Sequence, residues 1–513
     1  MNRVGLPTII VTGASGFVGR HFVDAYKDEC QIYAIARRSQ QEVGLERHQN
    51  IEWYLTDIGD EESLHKVMDD IRAKGGADFL LHLAAFFDFS NEANPEYERT
   101  NILGTKLVLK EAETLDLVRF IFASSLVVSE FPKAGERLTE ESSLDASFPY
   151  AVTKIAGESM AREYSKKFPC SVVRFAAVFS DWCEYGPLYK FIDTWTSKSW
   201  KANILGGDGH SSVPYIHIFC VRSLLWSIME QSERLKDFDV YLASPDDSSS
   251  HQELFEQTTR LTTGTIKKAI HMPAILSRIG VYALDIMGRM IGKRPFERPW
   301  MIKYIDERMD VDASYTRETL GWDLIPRYNL SRRMIHLIEH MKAFQDEWHT
   351  RNALALYKSP DRPDLLIADV LSKNTPHLIS TLQASIEAPQ NQDRFRKYRE
   401  MPKDTLAWYL GILFNLLNVS VRTGDRLSMA NYARFNASIR IHEGFTLEEV
   451  SLLYQAMAEG VINFLGKHEK LGELGMRIQD DIGLTIQMAL DEIEDAYELA
   501  TKKTEYVRFH ERL

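Results

Sequence analysis

Cysteine is scarce. The 513 residues hold four, Cys30, Cys170, Cys183 and Cys220, scattered and without C-x-x-C spacing. That argues against a disulfide framework or a paired-cysteine zinc site and fits reduced thiols in a cytoplasmic chain. Positive charge is also in short supply, with 61 Lys and Arg against 73 Asp and Glu and a net charge of −12. Proteins that hold nucleic acid present a basic face, so nucleic acid is not the expected partner. Low-complexity tracts are lacking. No apolar run reaches the ~18 residues of a spanning helix, so stable membrane insertion is not expected. The opening MNRVGLPTIIVTG runs straight into a strand pattern, which predicts no signal peptide. What remains is a globular composition on a chain too long for one ordinary core, so two domains or more are expected.

The sharpest local signal is PTIIVTGASGFVGRHFVDAY. Ile9, Ile10 and Val11 read as a buried parallel strand, and Phe22, Val23 and Tyr26 as the apolar face of a helix. Between them stand Gly13, Gly16 and Gly19. Glycines so placed permit a tight turn, a close approach of pyrophosphate to the backbone and close helix–strand packing. The helix N-terminus adds free N–H groups and a favourable dipole. The pattern predicts a dinucleotide site. The next strand, 31–36, is followed by Arg37 and Arg38 where NAD-preferring folds carry an acidic residue. Guanidinium there suits a 2′-phosphate, so NADP is expected over NAD.

Strands are then expected at IEWYLTDIGD, at 79–86 and at 118–128, with helices at 61–73 and 95–114. The alternation predicts a doubly wound parallel sheet that binds its ligand at the carboxyl ends of the strands. Ser124 and Ser125 close the fifth strand, and Tyr150 and Lys154 lie one turn apart on the next helix. A Lys ammonium near a phenol favours phenolate, which would lower the Tyr150 pKa toward working pH.

These segments together resemble the extended short-chain dehydrogenase/reductase family, also called NAD-dependent epimerase/dehydratase. The matching pieces are TGASGFVG, DIGD, HLAA, NILGTKLVL, FASS, YAVTK, VVRFAAVF and ETLGW, in family order over residues 5–345. The resemblance implies a Rossmann-type fold with a small substrate lobe, mainly 180–215 and 245–310. It implies Tyr150 as catalytic acid/base, Lys154 as its pKa partner and ribose ligand, and Ser125 as the substrate-orienting hydroxyl, with Ser124 as the fallback one residue away. Asn101 resembles the residue that supports the Lys through the helix backbone. The cofactor would meet Gly13, Ser15, Gly16, Phe17, Val18, Gly19, Arg37, Arg38, Leu83, Ala84, Ala85 and Ser124, with Asp57 and Ile58 at the adenine. Members often dimerise through the helices bearing 101–114 and 150–166, whose faces here include Leu107, Leu109, Ala156 and Met160.

Two departures narrow the substrate. Ala177 stands where sugar-nucleotide members carry an Asn, and Val213 where they carry an Arg, both toward the substrate diphosphate. A pyrophosphate lacking paired donors is costly to bury. The expected substrate is therefore a non-nucleotide secondary alcohol or ketone. Trp182, Tyr185, Tyr189, Trp195, Trp200 and the amphipathic stretch 273–292 suggest an apolar pocket wall. The alternatives are a nucleotide-sugar epimerase or dehydratase, and a redox sensor that binds NAD(P)H without turnover.

The dehydrogenase pattern ends near residue 348. TRNALALYKSPDRPD, with two prolines, reads as a linker over 349–363, and 364–513 as an all-helical bundle. Thr446 with Glu449 predicts a capping box, and Val450, Leu453, Tyr454 and Met457 mark one apolar face. The bundle is similar to the helical domain of RsbT co-antagonist type bacterial signalling proteins. That likeness implies a bacterial source and a docking or sensing module for a protein partner.

Overall fold

A computed structural model describes residues 6–144, 147–290, 294–356, 363–423, 426–467 and 475–510. The chain divides into two compact units, the first ending at Lys358 and the second beginning at Ser359.

The first unit is built on seven parallel strands: β1 (Thr8–Thr12), β2 (Gln31–Ala36), β3 (Ile51–Leu55), β4 (Phe79–His82), β5 (Arg119–Ser125), β6 (Cys170–Phe175) and β7 (Phe238–Ala243). Their spatial order is β7-β6-β5-β4-β1-β2-β3. The chain reverses direction across the sheet between β1 and β4, whose register pairs Thr12 with His82. Ile9, Ile10 and Val11 are wholly buried, as continuous apolar strands covered on both faces require. One face packs α1 (Phe17–Tyr26) through Phe22 and Val23. The other packs α2 (Glu61–Ala73) through Leu64, Met68 and Ile71, and α3 (Thr105–Ala112) through Val108 and Leu109. Next to them lies α4 (Pro149–Tyr164), where Gly157 is required: a Cβ there would overlap the Phe122 ring of β5. The close approach sets Tyr150 and Lys154 beside the end of β5.

Several boundaries differ from the sequence reading. β4 stops at His82, so 83–86 is loop, and β5 stops at Ser125. The helix expected over 95–114 opens as a π-helical turn, Tyr97–Gly104, before α3. Such turns are uncommon and concentrate at functional sites. Leu107 and Leu109 are buried in the core of this unit and offer no dimer face; Leu103 and Val152 are the exposed apolar residues on these two helices.

The linker expectation fails over its first half. Residues 345–356 form a helix, α5, that packs onto the first unit. Trp348 is buried, and Asn352 donates to the carbonyls of Trp182 (2.9 Å) and Trp348 (2.8 Å) and accepts from the Glu184 N–H (2.8 Å). Residues 357–362 lie outside the described residues.

The second unit is helical: α6 (Pro363–Glu387), α7 (Lys403–Thr423), α8 (Leu427–His442), α9 (Leu447–Gly466) and α10 (Gly475–His510). Val450, Leu453, Tyr454 and Met457 are buried in its core, as their spacing predicts. The Thr446 hydroxyl caps α9 by accepting from Glu449 N–H (3.2 Å). The Glu449 carboxylate does not return to Thr446; it accepts from Lys397 N–H instead. Within α7, Lys403–Val421 is long and apolar enough to cross a membrane, contrary to the sequence reading. Its Leu406, Leu410, Leu413 and Leu417 are buried in the bundle core.

Candidate active site

The loop between β1 and α1 lies at the carboxyl end of β1, beside β4. Gly13 takes φ +69°, and a Cβ on it would sit 2.7 Å from the Ala84 nitrogen. Leu83 N–H donates to the Thr12 carbonyl at 3.2 Å, which holds Leu83, Ala84 and Ala85 against the loop. A Cβ on Gly19 would overlap the Gly13 carbonyl. Gly16 caps α1 with extended backbone and leaves the first-turn N–H groups without a side-chain cap. Ser15 is buried, Phe17 packs edge-on against His21, and Val18 leans on the core. A side-chain-free cradle ending in open helix N–H groups fits a dinucleotide pyrophosphate.

The two arginines after β2 part company. Arg38 donates to the Ser15 carbonyl and so lies over the glycine loop. Arg37 faces carboxylates, Glu96 at 3.3 Å and Asp57 at 3.9 Å. Asp57 also accepts from Arg99 (2.9 Å) and from Gly59 N–H (2.9 Å). Ile58 is buried against Gly104, so its side chain packs the core rather than offering a face to adenine.

At the opposite edge of this opening, Tyr150 and Lys154 share one face of α4. The Lys154 ammonium donates to the Ala123 carbonyl at 2.6 Å and lies 5.7 Å from the centre of the Tyr150 ring. Asn101 is buried on the π-helical turn. It accepts from Phe86 N–H (2.6 Å) and donates to the Phe86 carbonyl (2.9 Å) and to Thr153 Oγ1 (3.0 Å). Thr153 in turn donates to the Tyr150 carbonyl at 2.9 Å. Asn101 thus ties the loop after β4 to the helix of Tyr150 and Lys154.

The serine pair is resolved by register. Ser124 is buried, paired with Arg174 across the sheet, and donates to Glu158 at 2.5 Å. Glu158 also takes Arg174 at 2.8 Å. The Ser124 hydroxyl is therefore committed to this buried cluster, and neither its fallback catalytic role nor its expected cofactor contact fits. Ser125, half-buried at the strand end, accepts from Val127 N–H at 3.4 Å and keeps its hydroxyl hydrogen for another acceptor.

One electrostatic expectation reverses. Burial pushes the Tyr150 phenol up from its usual value, and Tyr97 adds to the rise. His82, wholly buried, is lowered to about 3 by burial and then by the charge of Lys154. It bridges Thr12 Oγ1 (2.7 Å) and Thr105 Oγ1 (3.0 Å) as a neutral ring.

The aromatic wall lies mainly elsewhere than expected. Phe87 sits 4.6 Å from the Tyr150 ring, Phe89 lies 4.7 Å from Phe87, and Phe296 and Tyr185 follow at 5.6 and 6.4 Å from Phe89. Of the five aromatics expected in 181–200, only Tyr185 joins this chain of rings. Trp195 is buried core, Trp182 stacks on His340, Tyr189 bonds to His349 and Trp200 is 74 % exposed. The run FFDF over 86–89 was the available signal for the wall.

Beside Phe148, which caps α4, opens a cavity of about 450 Å³. Tyr282, Trp300 and Tyr304 line it with two cations, Arg278 and Lys303. Ala177 and Val213 pack against the apolar cluster around Phe179 and Leu188.

Known proteins bear on this geometry. Residues 9–243 match the NAD dependent epimerase/dehydratase family. A putative dihydroflavonol 4-reductase of Synechocystis sp. is 28 % identical over 155 residues, covering 30 % of this chain and 41 % of that protein. UDP-glucose 4-epimerase of Drosophila melanogaster is 24 % identical over 179 residues, covering 31 % of this chain and 49 % of that protein. The chain thus spans no more than about half the length of these two relatives. Among solved structures, dTDP-glucose 4,6-dehydratase of Bacillus anthracis in complex with NAD shares the fold at 19 % identity and TM-score 0.50, covering 67 % of this chain and 99 % of that one. Residues 9–243 of this chain thus match the NAD-dependent epimerase/dehydratase family, and the first unit shares the fold of a solved dTDP-glucose 4,6-dehydratase.

Proposed function

We propose that the first unit oxidises or reduces a carbinol carbon with a nicotinamide dinucleotide, Tyr150 serving as acid/base. The observation that carries this reading is the convergence of Tyr150, Lys154 and Ser125 at the strand ends that also carry the glycine cradle. When bound, the nicotinamide supplies hydride acceptance or donation. The Tyr150 phenol, protonated at neutral pH, is set to give its proton to a developing alkoxide in the reducing direction; in the oxidising direction the same oxygen, as phenolate, would take the proton of the substrate hydroxyl. Lys154, fixed by the Ala123 carbonyl, places positive charge beside that phenol. Ser125 donates to the substrate oxygen.

For the substrate, a nucleotide sugar is the first reading, and here the comparisons outweigh the expectation of a non-nucleotide substrate. The curated and solved relatives include UDP-glucose and dTDP-glucose enzymes. Arg278 and Lys303, in a cavity with stacking rings, supply charge that Ala177 and Val213 do not. An apolar alcohol or ketone is the second reading, favoured by the ring series Phe87, Phe89 and Phe296. Arg38 over the Ser15 carbonyl is the residue suited to a 2′-phosphate, whereas Arg37 would have to leave Glu96 and Asp57. The second unit, by its likeness to signalling modules, is a docking element for a protein partner.

The test is turnover of UDP-glucose and dTDP-glucose beside a panel of apolar ketones, followed by NMR of the products. Nucleotide-sugar conversion whose KM rises at least about tenfold when Arg278 and Lys303 are replaced by Ala supports the first reading. Ketone reduction insensitive to that change moves the assignment to the second. Either activity surviving Tyr150→Phe without loss contradicts the role given to Tyr150.

A further inference from the structure

The substrate lobe carries an amphipathic helix whose apolar side faces outward. Residues Ala274–Met290 form this helix, and Ser277, Asp285 and Gly288 are the residues buried beneath it. Ile275, Leu276, Ile279, Tyr282, Ile286, Met287 and Met290 are exposed, at 45 to 82 %. Monomer surfaces rarely leave so long an apolar stripe uncovered without a partner. The helix adjoins a short parallel pair, Ile204–Gly206 with Ile270–Met272, and the Ser277 hydroxyl bonds the Met272 carbonyl at 3.0 Å. Near the start of these strands, Trp200, Ile266 and Ile270 are exposed too, at 57 to 74 %.

The charge around the stripe identifies the occupant. Segments 196–204 and 264–290 contain Lys198, Lys201, Lys267, Lys268, Arg278 and Arg289 against one carboxylate, Asp285. Asp285 is buried and held by Arg289 (3.0 Å), Arg294 (2.8 Å) and Arg298 (3.3 Å), so it presents no negative charge outward. The whole chain, by contrast, carries −12. An apolar helix face flanked in the chain by basic segments, with an exposed Trp on one of them, matches an anionic bilayer surface: the aliphatic side chains enter the acyl boundary and the Lys and Arg heads stay with the phosphates.

We propose that this face docks the enzyme peripherally on anionic lipid. The helix lies on the surface and does not span it. Because Arg278 and Tyr282 also line the cavity next to Phe148, docking brings the mouth of that cavity to the lipid surface. The inference stands on exposure and charge and does not depend on the substrate class.

The test is flotation of the purified full chain with vesicles of phosphatidylcholine alone and of phosphatidylcholine with phosphatidylglycerol. The expected result is flotation with the anionic vesicles, weakened at high salt and on neutral vesicles. Ile279→Asp with Ile286→Asp, and separately Lys267→Glu with Lys268→Glu, should each reduce the floated fraction at least tenfold. Because all four positions are at the surface, dinucleotide binding and thermal midpoint should be unchanged. Absence of flotation overturns the proposal. A dimer that dissociates in the Ile279/Ile286 variant overturns it as well, because a second copy is then the occupant.

Discussion

At the residue scale, the site is a set of side chains whose partners decide what each can do. Ser124 and Ser125 differ by one position in the chain and by one face of β5. The first is locked to Glu158 beneath α4 and the second stands at the strand end. Alternation in a strand made this distinction legible once the register was fixed. The Arg37 environment was not legible, because Glu96 lies fifty-nine positions away on a turn whose π-helical geometry leaves no sequence mark. His82 supplies a prediction at this scale. Its folded pKa of about 3 lies below the ordinary value of 6.5, so the unfolded chain binds the extra proton first as pH falls. Its neutral burial costs nothing above pH 6.5 and destabilises progressively below it, by about 2 kcal/mol at pH 5. Thermal midpoints of the parent and His82→Gln should therefore converge as pH drops from 7 to 5. Parallel curves would show that the ring does not titrate on unfolding.

At the element scale, five of the seven strands, β1 to β5, and α2 followed directly from apolar runs and caps, whereas β6 and β7 did not. Asp60 caps α2 and two glutamates occupy its first turn, and the helix begins where the sequence places it. α5 was missed because prolines and charges just beyond it resemble a linker, while its true signal is small: Trp348 and Asn352, one turn apart on the buried face. The helix matters for the site because Asn352 holds the segment 182–184, where Cys183 and Glu184 take positive φ of 71° and 54°. Burial raises the Glu184 carboxyl, but His21, Arg20 and Ser180 overcome that and hold it at about 2. Arg20 and His21 belong to α1, so α1 and α5 are joined through one residue, Glu184: its carboxylate faces α1 and its backbone N–H donates to Asn352 of α5. Trp348→Ala should lower the stability of the first unit by about 3–5 kcal/mol, read by chemical denaturation. A loss near zero would mean that α5 is not docked.

At the scale of the whole molecule, two units with separate cores follow from length, and the structure sets the division at Lys358. The first unit carries every residue of the proposed chemistry. The second has a core of leucine, tyrosine and valine, with Arg440 buried against the rings of Tyr409 (4.6 Å) and Phe445 (5.0 Å). Family likeness made the Rossmann architecture legible in the sequence. The substrate lobe was less so, because exposed and buried aromatics look alike until the chain is folded.

On the proposed function, the glycine cradle holds a nicotinamide dinucleotide next to Tyr150. The direct measurement is a fluorescence titration of the full chain with NADH and with NADPH, beside the Gly19→Val and Tyr150→Phe variants. Saturable binding of at least one dinucleotide below about 1 mM, the top of the usual substrate range, is expected. Binding should be lost in Gly19→Val, where a side chain would overlap the Gly13 carbonyl, and kept in Tyr150→Phe. No binding of either dinucleotide by a folded parent protein would contradict the proposed function.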